Sequence, residues 1–262
     1  MIVYGSAGLA ETHRRVVDVK GEAYYRSEWL ESSQDPWLSP TVFMVEQPPN
    51  ASLAGHFHAE NQFQIFVDGE GRIGAHTISP MTVHYAGAYS GYGPLIAGPQ
   101  GIRYFTIRSV YETGMMSSTD SSKMVRGPKR HLVTEPQPAI DAAVLAALTR
   151  VETDELIALQ PDGIAVSLLR LPAGASGRGL DPASGGGQFF LVLGGELLHG
   201  DKALHRWESM FASCDEAAVL LRAGEGGLEV LLLQMAPKDP AYIVAKKVAL
   251  EALQTAGAPA AI

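Results

Sequence analysis

Apolar and polar positions alternate in two parts of the chain, separated by stretches rich in glycine, proline and serine. Val42-Phe43-Met44-Val45-Glu46 reads as a strand stopped by Pro48-Pro49-Asn50, since proline cannot donate to a ladder. After Gly55 the order is His56-Phe57-His58-Ala59-Glu60-Asn61-Gln62. Phe63, Ile65 and Val67 then alternate with Gln62, Gln64 and Phe66 until Asp68-Gly69-Glu70-Gly71 supplies turn residues. This pattern predicts a half-buried strand entering a hairpin. Side chains alternate with period two along a strand, so His56 and His58 face one way, as do Gln62 and Gln64. Two imidazoles so placed can share one metal ion.

From Val110 to Thr134 the alternation fades into Gly114-Met115-Met116-Ser117-Ser118 and Gly127-Pro128-Lys129-Arg130, which predicts a connector. Residues 138–150 carry Ile140, Val144, Ala147 and Leu148 at helical spacing with proline near the start, which predicts a helix. Strand signals resume at Gly163. At a constant offset of 126 residues, Gln62-Phe63 returns as Gln188-Phe189, Gly69-Glu70 as Gly195-Glu196, Gly74 as Gly200 and Ala97-Gly98 as Ala223-Gly224. Upstream, Val42 to Pro48 matches Val166 to Pro172 at an offset of 124. A duplicated pattern implies a duplicated unit.

The order His56-x-His58, three residues, Gln62, six residues and Gly69 resembles the first metal motif of the cupin superfamily, with Gln62 where that family usually has Glu. The resemblance implies an all-β protein of two antiparallel β-barrels, or jelly rolls, with a few helices. It also implies that the second barrel is degenerate, because Pro182 and Ser184 stand where the first copy has His56 and His58. The expected organisation is an N-terminal arm (1–40), a first barrel with the metal site (41–112), a connector (113–135), a helix and second barrel (136–237), and a C-terminal tail (238–262).

Composition narrows the class. The chain of 262 residues has 46% apolar and 18% charged residues with 28 glycines, which suits a globular, sheet-rich protein. A net charge of −8 argues against a phosphate-binding surface, so no nucleic-acid partner is expected. The lone Cys214 excludes an internal disulfide and a multi-thiolate zinc site. No basic leader and no long apolar run is present, so the expectation is a cytoplasmic protein with no membrane partner. The arm, with Trp29 and Trp37, is expected to pack on the barrel or support a homodimer, with a lid over the site as the alternative.

A catalytic metal site usually takes three protein ligands. His84, in the tyrosine-rich stretch from Thr82 to Tyr92, is the favoured third ligand after His56 and His58, because imidazole binds borderline metals without losing a proton. Counting back from Ala97-Gly98, however, the slot for the third histidine in the cupin pattern falls nearer Tyr92. Gln62 is a weak neutral ligand, or steers substrate together with Tyr92. Tyr85, Tyr89, Gln64, Arg103 and Arg108 are candidates to line or flank the barrel, and an inward arginine would suit a carboxylate or enolate. His76, on the preceding strand, reads as structural or exposed, and His13, His131, His199 and His205 show no ligand spacing. The resulting expectation is a divalent-metal enzyme, with Fe(II) favoured over Mn, Ni or Zn, acting as a dioxygenase on an enolisable or aromatic small molecule. The alternatives are an isomerase, lyase or hydrolase of a small acid, and a non-catalytic ligand-binding cupin.

Overall fold

The structure, a computed structural model, describes residues 1–255 apart from 20, 113 and 139. Those three positions and 256–262, which fall in the expected arm, connector, helix and tail, lie outside the described residues. The chain separates into two compact units: Met1–Arg14, Ser27–Glu31 and Gln137–Pro237 form one, and Arg15–Arg26, Ser32–Pro136 and Lys238–Ile262 form the other. Residues of the expected arm therefore enter both units. The expected tail carries a helix, Pro240–Thr255. No helix among the described residues is long and apolar enough to cross a membrane.

In the unit holding the histidine pair, a nine-stranded sheet runs through His131–Val133, Val83–Ala86, Gln62–Ile73, Leu95–Arg108, Thr41–Gln47, the first half of Glu22–Glu31 and Arg15–Val19, with two short strands off this path. Its inner face packs Phe43, Val45, Phe66, Tyr92, Leu95, Ile102 and Tyr104 into one core. The Gln62–Ile73 strand departs from the half-buried expectation, because residues 62–66 are buried on both faces. Phe66 enters the inner core, whereas Phe63 stacks on Tyr85 at 4.9 Å on the opposite face.

The other unit repeats this sheet in the same register. Phe63 pairs with Ile107 and Gly69 with Ile102 in the first copy, and Phe189 pairs with Leu233 and Gly195 with Leu228 in the second. Gln64 faces His84 as Phe190 faces Met210. The repeated glycines are required by the backbone: Gly69 has φ +74°, Gly195 has φ +68°, and a Cβ on either would lie 2.0 Å from the carbonyl oxygen of Gly101 or Gly227. The helix expected over 138–150 is shorter, Ala142–Ala146, and a strand begins at Glu152.

The polar interior of the second barrel also parallels the first. Gln188 and Gln234 occupy the positions of Gln62 and Arg108, and Gln188 Nε2 donates to Gln234 Oε1 at 2.5 Å. Gln234 Nε2 in turn donates to Ser184 Oγ at 2.6 Å, at the position equivalent to His58.

Candidate metal centre

His56 sits on a two-residue strand whose backbone is pinned on both sides. It exchanges two backbone hydrogen bonds with Tyr92, each 3.0 Å, and faces Ser117 of the Met116–Ser117 strand. His58 follows two residues on, and its carbonyl accepts from Tyr89 N–H at 2.6 Å. The two rings stand edge to face with centroids 5.2 Å apart, as the period-two argument requires.

Each imidazole is oriented by a backbone carbonyl. His56 Nδ1 lies 2.8 Å from Ala54 O, and His58 Nδ1 lies 2.8 Å from Gly114 O. A proton on Nδ1 leaves Nε2 as the lone-pair nitrogen, which is the usual outer support of a metal-binding histidine. Arg108 Nη2 also approaches His58 Nδ1, at 3.1 Å, and the carbonyl contact is the shorter of the two. Burial, with His58 and Arg108 nearby, lowers the His56 pKa to about 4, and burial with Arg108 lowers that of His58. Both imidazoles are therefore neutral at neutral pH, the form that binds a metal.

Tyr92 and Gln62 complete this group. The Tyr92 hydroxyl is 2.9 Å from His56 Nε2, and Gln62 Nε2 donates to the same hydroxyl at 2.5 Å. Burial pushes the Tyr92 phenol well above its ordinary value. Gln62 Oε1 accepts from Arg108 Nη2 at 2.8 Å and from Nε at 3.1 Å. Arg108 is 3% exposed and shares the inner face with Tyr104 and Thr106, whereas Arg103 points outward and pairs with Asp68 at 2.7 Å.

His84, the expected third ligand, lies on the Val83–Ala86 strand. It is fully buried, its Nδ1 lies 2.7 Å from Gln64 Oε1, and its ring neighbours are Tyr92 at 4.9 Å and His131 at 4.6 Å. It does not line the cavity, and its Nε2 has no hydrogen-bond partner. A backbone bridge joins His56 to Tyr92 and sets the two side by side.

The cavity bounded by these residues has a volume of about 160 Å³ and is also lined by Tyr24, Arg26, Phe43, Tyr104 and Glu112. Neither Glu112 nor Arg26 belongs to a motif that marks it as a site residue. The Glu112 carboxylate lies 3.4 Å from His58 Nδ1 and 3.7 Å from Arg108 Nη1, and its Oε1 accepts from Ala59 N–H at 2.9 Å. Burial pulls its pKa up, but the hydrogen bond to His58 and the charge of Arg108 prevail, and it stays below the ordinary carboxylate value. The Arg26 guanidinium lies 3.7 Å over the Phe43 ring.

The residues fit a divalent cation at a two-imidazole site. His56 and His58 supply neutral nitrogens, and the Tyr92 hydroxyl stands beside His56 Nε2, while the Gln62 oxygen is turned to Arg108. They do not form a three-histidine site: among the described residues no group of three or more His, Cys, Asp or Glu side chains is arranged to hold a metal ion.

No family model and no curated protein matches the chain, but solved structures do. A candidate dioxygenase from Nostoc punctiforme aligns with a TM-score of 0.58 at 11% identity, over 92% of this chain and 85% of its own. The pirin YhhW of Escherichia coli, solved in complex with nickel(II), aligns at 0.55 and 13% identity over 90% and 100%. Oxalate decarboxylase from Bacillus subtilis aligns at 0.59 and 13% identity over 90% and 76%. The likeness is one of fold, and the chain has the two-barrel cupin fold.

Proposed function

We propose that this chain is a metal-dependent small-molecule enzyme whose single working site is the first barrel, and that its reaction is dioxygenation of a small, enolisable acid. The observation that carries this proposal is the convergence of two neutral, carbonyl-oriented imidazoles on one small buried cavity. The bound metal would supply Lewis acidity toward an enolate and a site for dioxygen, and Fe(II) is the favoured ion.

The other residues have tasks consistent with an anionic substrate. Arg108 places a buried guanidinium on the cavity wall, with Arg26 and the Glu112 carboxylate beside it. An arginine so placed suits a carboxylate or enolate guest. Gln62, held between Arg108 and Tyr92, adds no charge of its own. Tyr92 carries the phenol proton nearest the two imidazoles and can hand a hydrogen bond to a substrate oxygen.

A second reading, metal-assisted isomerisation, lyase or hydrolytic chemistry on a small acid, draws on the same arginine and needs no dioxygen. Elemental analysis of the purified protein, followed by oxygen-uptake screening with small 2-oxo and 3-oxo acids, tests the proposal. Metal-dependent oxygen consumption supports dioxygenation; metal-dependent turnover without oxygen uptake supports the second reading. A protein that remains metal-free after reconstitution refutes both.

A further inference from the structure

The loop between His58 and Gln62 is held from several sides. Tyr89 N–H donates to His58 O at 2.6 Å, Ala88 N–H donates to Asn61 Oδ1 at 2.8 Å, and Ala59 N–H donates to Glu112 Oε1 at 2.9 Å. The remaining grip comes from far along the chain. Lys238 Nζ lies 2.5 Å from Glu60 Oε1 and donates to Ala59 O at 3.3 Å. Lys246, on the Pro240–Thr255 helix, donates to the same Glu60 oxygen at 2.6 Å.

Two ammonium groups on one buried carboxylate oxygen are a costly way to dock a helix. The Glu60 side chain is 5% exposed, and those of Lys238 and Lys246 are 14% and 10% exposed. Each buried lysine gives up hydration and rotamer freedom, and one carboxylate balances only one of the two charges. Burial lowers the Lys238 ammonium pKa even with Glu60 opposing it. The helix already has a docking contact of the ordinary kind: Tyr242 is buried, its ring lies 5.0 Å from Tyr89, and its hydroxyl donates to Pro128 O at 2.6 Å. What the lysines add is control of residues 59 and 60, the backbone that sets where His58 and Gln62 stand.

We propose that Lys238 and Lys246 form a two-point clamp which fixes the loop between His58 and Gln62 and thereby sets the metal affinity of the first barrel. This inference rests on His56 and His58 acting as the metal donors. Glu60, Lys238 and Lys246 are positioning residues, since none of them lines the cavity.

Three variants test the clamp. Glu60→Gln removes the shared charge at nearly constant volume, Lys238→Met with Lys246→Met removes both ammoniums but keeps their stems, and Lys246→Arg keeps the charge. Backbone hydrogen exchange is measured on the metal-free full-length protein, and the Co(II) dissociation constant is measured by competition with a chromophoric chelator. In the first two variants, residues 59–62 are expected to exchange about tenfold faster while residues 63–66 and 102–107 keep their protection. The Co(II) dissociation constant is expected to rise about tenfold or more, with Lys246→Arg staying close to the parent. If the double methionine variant does not fold, Glu60→Gln carries the test. Unchanged exchange at 59–62 in Glu60→Gln overturns the clamp, as does protection lost equally over the core strands. If the parent takes up no Co(II), the metal proposal fails, and hydrogen exchange still decides whether the loop is clamped.

Discussion

Tyr92 is joined to His56 twice: their backbones exchange two hydrogen bonds of 3.0 Å, and the Tyr92 hydroxyl lies 2.9 Å from His56 Nε2. Gln62 donates into the same hydroxyl oxygen, so His56 Nε2 is the natural acceptor of the phenol proton. With the phenol pushed up and the imidazole down to about 4, the pair at neutral pH is a phenol and a neutral imidazole. A cation that binds His56 must displace this hydroxyl or take it as a neutral oxygen donor.

Substitutions should therefore separate the histidines by role. His56→Ala and His58→Ala are expected to lower divalent-metal affinity by about a hundredfold or more, because each removes one of two nitrogens. His84→Ala is expected to leave metal affinity within a few-fold of the parent, since His84 lies against Gln64 and Tyr92 and outside the cavity. Tyr92→Phe is expected to retain metal and impair turnover. Competition with a chelator measures all four, and metal lost only in His84→Ala would reverse the assignment.

Glu112 is the buried counter-charge of Arg108, and their side chains are 10% and 4% exposed. Removing it strands a guanidinium in the barrel. Glu112→Ala is expected to cost about 3 kcal/mol of folding stability, read from urea unfolding of the metal-free protein. A loss within about 0.5 kcal/mol, typical of surface substitutions, would mean that Arg108 is compensated elsewhere.

The buried histidines predict an acid-sensitive fold. The pKa values of His56, His58 and His84 are all lowered chiefly by burial, so the folded chain binds fewer protons than the unfolded chain. Their contribution is complete above the unfolded value near 6.5. It is lost as pH falls toward the folded values, which for His56 is about 4 and corresponds to roughly 3 kcal/mol. The urea midpoint of chelator-treated protein is expected to fall through this window, and His56→Asn should flatten the slope. A midpoint independent of pH would contradict it.

Gly69 and Gly195 should be equally intolerant of a side chain. Both combine positive φ with a carbonyl oxygen 2.0 Å from the added Cβ. Gly69→Ala and Gly195→Ala are each expected to cost about 2 kcal/mol or more, by thermal or urea unfolding. Gly200, also at positive φ but with nothing near its Cβ, should suffer less.

The repeat is legible in the sequence because these glycines are backbone requirements. The same turn and the same close approach recur in both barrels, so the residue recurs at a fixed interval. His56 and His58 are legible because period two holds over three residues whatever the wider topology. Arg108 is harder to place, since its face depends on register, and the pairing shifts between Arg103 and Tyr104. Tyr92 and His84 are separable only once the bridge to His56 is known. The approach of Lys238 and Lys246 to Glu60 leaves no local trace, because nothing near residue 60 announces a partner that distant in the chain.

The two barrels also make a natural substitution experiment within one polypeptide. Where the second copy lacks the imidazoles, it also lacks the guanidinium, and Gln234 closes on Gln188 and Ser184 with short amide hydrogen bonds. A barrel of this register is therefore shut by uncharged side chains alone. The fold does not demand Arg108, whose buried charge is met in the first barrel by Glu112 and Gln62. Arg108→Gln would turn the interior of the first barrel into an imidazole-bearing version of the second, at the cost of leaving the buried Glu112 carboxylate without its guanidinium.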